Sequence, residues 1–221
     1  MPALQKSTQE QDMRLVCISD THGMHRQVDV PEGDILIHSG DCLGVGTLAE
    51  LEDLDHWFAE QPHPHKILIA GNHDWCFQDE PQDARALVRH AHYLQDTGLE
   101  LAGLKFWGSP WTPVFFSWAF NLERGEALAE RWAQIPADTD ILITHGPPAG
   151  ILDGVPTGAG TVNAGCDDLA ATVETLSPRL HIFGHIHEGY GQRQIGQCRY
   201  INASTCTGAF KPQNPPIVID L

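Results

Sequence analysis

The chain has 221 residues, 42% of them hydrophobic, enough for one domain with a sizeable core. Its 29 acidic residues against 13 lysines and arginines give a formal charge of −16, a field that repels a long polyanion and argues against duplex nucleic acid as a partner. Six cysteines lack any C-x-x-C pair and fit reduced thiols, and no signal-like opening or membrane-length apolar run occurs, so a soluble cytoplasmic protein with no membrane partner is expected.

Residues 1–12 are polar and aperiodic and predict a disordered tail, with the domain over 13–221. Apolar or β-branched runs then predict buried strands at 15–18, 35–37, 67–69, 141–143 and 181–183. Amphipathic helices are expected between them, at about 48–60, 82–92, 124–134 and 167–176, which is the alternation of an α/β fold. Further strands at 99–107, 198–202 and 217–220 have no long helices between them and predict a mixed sheet or a second sheet. Pro147, Pro148, Pro156 and the neighbouring glycines mark a long loop over 146–165, while His63 and His65, among prolines, are expected in an exposed loop.

Five motifs each stand just beyond one of the apolar runs: Asp20-Thr21-His22, Gly40-Asp41, Gly71-Asn72-His73-Asp74, His145-Gly146 and Gly184-His185-Ile186-His187. Strand ends are where α/β folds place their sites. Carboxylate, amide and imidazole donors without thiolate suit Mn²⁺, Fe or Zn²⁺, and a carboxylate such as Asp41 can bridge two ions where a histidine cannot. On a strand-like backbone Asp20 and His22 point to one side, as do His185 and His187, so each pair is expected to converge on one ion.

In that order the motifs resemble the calcineurin-like metallophosphoesterase superfamily. Trp107-Gly108-Ser109-Pro110-Trp111, Ile143-Thr144-His145-Gly146-Pro147-Pro148, His187-Glu188-Gly189-Tyr190-Gly191 and the closing stretch from Asn214 to Leu221 are similar to the metallophosphoesterase-domain subfamily known from fetal brain. The resemblance runs from Met13 to Leu221 and implies a four-layer α/β/β/α sandwich, two mixed sheets flanked by helices. It implies one metal held by Asp20, His22, Asp41 and His187 and another by Asp41, Asn72, His145 and His185, with Asp41 and a hydroxide bridging. Many superfamily members carry an acidic residue three positions after the G-D aspartate, where it supports the histidine of G-N-H; here that position is Gly44. The orientation of His73 must then come from another group.

The expectation is a dinuclear metal hydrolase, Mn²⁺ favoured, in which the bridging hydroxide attacks phosphorus and His73 protonates the leaving oxygen. A phosphodiesterase of small substrates is favoured, with nucleotides or cyclic nucleotides as the class that resemblance suggests. The alternatives are a phosphomonoesterase and a low-activity nucleotide-binding or scaffold protein. Asn72, His73 and the loop residue His25 are the expected contacts to substrate, and a homodimer is left open. No G-x-S-x-G elbow supports a serine nucleophile, and Cys42 is expected to be a packed thiol. The aromatic run Trp107, Trp111, Phe115, Phe116, Trp118 and Phe120 is expected to serve packing or an interface rather than a nucleobase stack.

Overall fold

Unbroken apolar runs belong to strands covered on both faces, and the computed structural model, which describes residues 13–221, covers them. In chain order it contains β1 (Arg14–Ile18), β2 (Ile35–Ser39), α1 (Leu48–Glu60), β3 (His65–Ile69), α2 (Cys76–Asp79), α3 (Pro81–Leu87) and β4 (His92–Tyr93). The hairpin β5 (Thr97–Leu101) and β6 (Leu104–Ser109) follows, then the short parallel pair β7 (Thr112–Pro113) and β8 (Asn121–Leu122), α4 (Glu126–Trp132) and β9 (Ile141–Thr144). The rest is β10 (Gly154–Thr157), β11 (Gly160–Asn163), α5 (Asp167–Leu176), β12 (Leu180–Phe183), β13 (Gly191–Ile195), β14 (Cys198–Asn202) and β15 (Ile217–Asp220). The expected tail over 1–12 lies outside the described residues.

Two mixed sheets carry the fold, one ordered β15-β1-β2-β3-β4 and the other β13-β14-β12-β9-β6-β5. Alternation along each strand assigns its two faces. Leu15, Cys17, Ile35 and Ile37 face the second sheet, packing with Phe106, Ile141, Ile143 and Ile182, whereas Val16, Ile18 and Leu36 face Leu51, Leu54 and Phe58 of α1. On the far side Trp107, Leu142 and Phe183 pack against Leu128 and Trp132 of α4 and Leu169 and Val173 of α5. The layers are therefore helix, sheet, sheet, helix, as the resemblance implied. No helix among the described residues is long and apolar enough to cross a membrane.

Several local expectations are corrected. The helix over 82–92 ends at Leu87, because Asp55 of α1 accepts the Arg89 and His90 N–H groups at 2.8 and 2.9 Å and turns the chain toward β4. The strand over 99–107 is two strands, joined through Ala102 and Gly103 with φ of 50° and 80°, the twist a two-residue hairpin needs. The loop over 146–165 contains the β10–β11 hairpin. His63 is buried, its Nε2–H donating to the Pro31 carbonyl at 3.0 Å, and His65 opens β3 half-buried, so neither is an exposed loop residue.

Candidate metal centre

The parallel strands β1, β2, β3, β9 and β12 all end at one edge of the sandwich, and each of the five motifs leaves from one of these ends. The backbone does not stay strand-like there. Asp20, His22, Asp41 and His185 adopt φ of 52°, 44°, 51° and 67°, a conformation that costs a non-glycine residue about 1–2 kcal/mol and persists only where the surroundings impose it. Here the turns are laced together: Asp20 N–H donates to the Gly40 carbonyl at 2.9 Å and His22 N–H to that of Asp41 at 3.0 Å.

The resulting donors form two main groups, Asp20 with His22 and His187, and Asp41 with His145 and His185; His22 and Asp41 also lie within reach of His73. The expectation that His185 and His187 converge on one ion fails. β12 ends at Phe183, His185 turns left-handed and His187 opens a 3₁₀ turn, so the two rings diverge into separate groups. His187 Nε2 lies 3.3 Å from Asp20 Oδ1 and 3.2 Å from His22 Nε2. His145 Nε2 lies 3.2 Å from Asp41 Oδ1 and 3.0 Å from Asn72 Oδ1. Asp41 Oδ2 sits 4.0 Å from both His22 Nε2 and His73 Nε2.

These residues fit a pair of cations. Asp20 and Asp41 are buried, and among the described residues their ion pairs run to histidines alone, an arrangement that leaves buried negative charge for a metal to meet. Burial would raise both carboxyls, yet the histidines hold them below the ordinary carboxylate range. Burial lowers His22 and takes His185 down to about 4, which keeps both imidazoles neutral as metal ligation requires. Burial would also lower His145, but Asp41 outweighs it and lifts its pKa to about 9; the field that holds a proton there favours a cation in its place.

Backbone carbonyls aim the rings. Nδ1–H donates to Ser39 O from His145, to Thr207 O from His187 and to Gly44 O from His73, at 3.0, 3.0 and 3.1 Å, which turns each Nε2 toward the cluster. Position 44 thus supports His73 after all, through its carbonyl instead of a side chain. Glu50 secures that loop, accepting Val45 N–H at 3.2 Å and Thr47 N–H at 2.9 Å while it closes the capping box of α1. Asp74 accepts N–H groups from Gly71, Leu43 and Cys42 at 2.7, 2.9 and 3.3 Å, tying the G-D turn to the G-N-H turn as a brace. Burial, with Asp41 nearby, raises its carboxyl to about 6. A methyl at Gly184 would overlap Asp20 Oδ2 and the Ser19 hydroxyl, so only glycine lets β12 turn this close under the carboxylate.

His22, Asp41, His185 and His187 floor a cleft of about 620 Å³, which Asn72 and His73 also line. His25 is not among its walls: the turn after His22 winds into a 3₁₀ helix that buries the ring against Trp57, with Nε2 3.2 Å from Asp53 Oδ2. That placement corrects its expected contact with substrate. Cys42 is fully buried, and burial with Asp74 beside it pushes its thiol up, the state of a packed side chain. The aromatic run divides: Trp107 and Phe120 are buried, Phe115 and Phe116 are exposed, and Trp118 stacks on His73. Sequence reasoning missed Ser204, whose hydroxyl donates to Asp20 Oδ2 at 2.9 Å, although it too stands just past a strand, β14. It also missed the walls formed by Arg124, Phe210 and the β10–β11 hairpin.

The family model described as the calcineurin-like phosphoesterase superfamily domain matches residues 13–220. The human protein named metallophosphoesterase domain-containing protein 1 is 44% identical over 232 residues, covering 94% of this chain and 71% of that protein. A UPF0046 protein of Caenorhabditis elegans is 40% identical over 220 residues, covering 93% and 74%. The solved structure of a phosphopantetheinyl hydrolase from Mycobacterium tuberculosis superposes with a TM-score of 0.62 at 16% identity, covering 94% of this chain and 96% of that one, a likeness of fold. The chain, with its candidate donor clusters at the strand ends, belongs to the calcineurin-like phosphoesterase superfamily, a metal-dependent family.

Proposed function

We propose that the chain is a metal-dependent phosphodiesterase of small phosphodiesters, nucleotides and cyclic nucleotides among them, working with two Mn²⁺ ions in the cytoplasm. The observation that carries this is Asp41, whose Oδ1 faces His145 at 3.2 Å while Oδ2 faces His22 at 4.0 Å, so one carboxylate joins two donor groups at the floor of an organic-sized cleft. When bound, two cations at these groups supply an activated water and neutralise the charge on phosphorus oxygens. Asn72 and His73 are set to contact the phosphate. With Nδ1–H held by Gly44, His73 turns Nε2 toward the cluster, where it is placed to stabilise the leaving oxygen and relay a proton to it as the P–O bond breaks.

The walls favour a diester over a monoester. Val114, Phe115, Val155, Val162 and Phe210 offer apolar surface to organic substituents on the phosphate, and among the described lining residues Arg124 is the one lysine or arginine to meet a second negative charge. The test is hydrolysis of a chromogenic phosphodiester and its monoester counterpart by metal-free protein titrated with Mn²⁺, beside Asn72→Ala. Metal-dependent turnover of the diester above the monoester, lost in the variant, is the expected result. Two bound metals with no turnover would instead identify a binding protein.

A further inference from the structure

His73 is gripped on an edge and on a face. The Gly44 carbonyl takes its Nδ1–H, and the indole of Trp118 lies on the ring with centroids 4.2 Å apart and planes inclined by 22°. A hydrogen bond at one nitrogen still lets an imidazole rock about that contact; a stacked face removes the motion. Nor is Trp118 carried on a free loop. The next residue, Ala119, donates its N–H to the Asn72 carbonyl at 3.1 Å, and Phe120 N–H donates to Gln78 Oε1 at 2.8 Å. The Phe120 ring is itself buried, edge-on to Trp111 at 5.5 Å. The shelf beneath His73 is therefore bonded to the same turn that carries His73.

We propose that Trp118 is the positioning residue for His73, supplying by stacking the fixed orientation that no side chain at position 44 can supply here. This rests on the hydrolase reading above. A proton donor must meet the leaving oxygen at about 2.6–3.2 Å, and a misplacement of 1 Å can cost on the order of 100-fold. The loss should therefore appear only where the leaving group needs a proton.

Trp118→Ala, Trp118→Phe, His73→Ala and the Trp118→Ala/His73→Ala double variant are compared on a p-nitrophenyl diester and on a diester with an alkyl alcohol leaving group, after matched metal content and thermal stability are established. The expected result for Trp118→Ala is a fall in kcat of about 10–100-fold on the alkyl leaving group, little change on p-nitrophenol, and little change in KM. Trp118→Phe should retain most of the rate, and the double variant should be no slower than His73→Ala, since both act through one proton transfer. Equal losses on both substrates, or additive losses in the double variant, would overturn the proposal. Independently of turnover, long-range ¹⁵N spectra of the full chain without added metal should show His73 as a single Nδ1–H tautomer that becomes averaged in Trp118→Ala. An unchanged spectrum also sinks the proposal. If the parent protein hydrolyses neither diester, the hydrolase reading fails while this spectrum still decides the role of Trp118, and the Phe variant serves if the Ala variant does not fold.

Discussion

Ser204 and Asp20 are 184 positions apart, yet the hydroxyl of one holds a carboxylate oxygen of the other, whose two oxygens also accept the His185 N–H at 3.1 and 3.0 Å. Losing such an outer partner generally costs about 10–100-fold in metal affinity. Ser204→Ala should weaken the ion at Asp20, His22 and His187 by that factor and leave the ion at Asp41, His145 and His185 nearly unchanged, as two resolved steps in a calorimetric titration. The candidate donors themselves were legible because each follows an apolar run that announces a strand end. Ser204 and Trp118 were not, since their roles exist only once β14 and the 113–120 segment are folded against other strand ends. The left-handed turns at Asp20 and His185 were also hidden: a D-x-H or H-x-H string does not say that the strand has already ended, and for that reason the same-side argument failed for His185 and His187, although Asp20 and His22 do share one group.

Strands β2 and β12 bury two histidines that the centre does not use. His38 accepts or donates one bond with Thr21 Oγ1 at 2.9 Å, and His181 one with Thr144 Oγ1 at 2.8 Å; burial lowers both to about 3. In the unfolded chain each takes up a proton near its ordinary pKa of 6.5, so between pH 6.5 and 3 the unfolded state binds more protons and stability falls as pH falls. The loss is about 1.4 kcal/mol per pH unit for each such histidine. In urea unfolding of metal-free protein at pH 7 and pH 5, His181→Gln should show roughly 2 kcal/mol less acid destabilisation than the parent; parallel changes would show that His181 is not held neutral. Buried strands such as these read clearly from their apolar runs. β13 did not, because Gly191-Gln192-Arg193-Gln194-Ile195 is a mostly exposed edge with no apolar alternation, and β10–β11 did not, because Pro156 and three glycines disguise a hairpin as a loop.

The two sheets meet at the centre. Ser19, just past β1, bridges to Ser204, just past β14, and Thr205 N–H donates to the Ser19 carbonyl at 2.8 Å. Candidate donors from the first sheet (Asp20, His22, Asp41, Asn72) thus stand opposite those from the second (His145, His185, His187), so ions held between them would tie the layers together. A ligand at 100 times its dissociation constant stabilises the folded state by about 2.7 kcal/mol, and a chain of this size gains roughly 2–4 °C per kcal/mol. Chelation should therefore lower the melting temperature by about 5–10 °C for one ion and more for two, read by scanning calorimetry. A chain with 29 acidic residues against 13 basic ones also has Coulombic reason to take up divalent cations. What the residue string conveyed least at this level is the cleft wall, drawn from three distant segments that share no pattern.

β15 lies antiparallel against β1, and beyond their ends Met13 N–H donates to the Leu221 carbonyl at 3.4 Å while Leu221 N–H donates to that of Met13 at 3.0 Å. The described residues thus begin and end side by side, at a single doorway between β1 and its outer neighbour β15. A host protein could carry this domain in a surface loop with almost no gap to span. A reordered chain, joined at that doorway and opened between Gly158 and Gly160, where a side chain would meet nothing within 4 Å, would keep every metal donor at its own strand end.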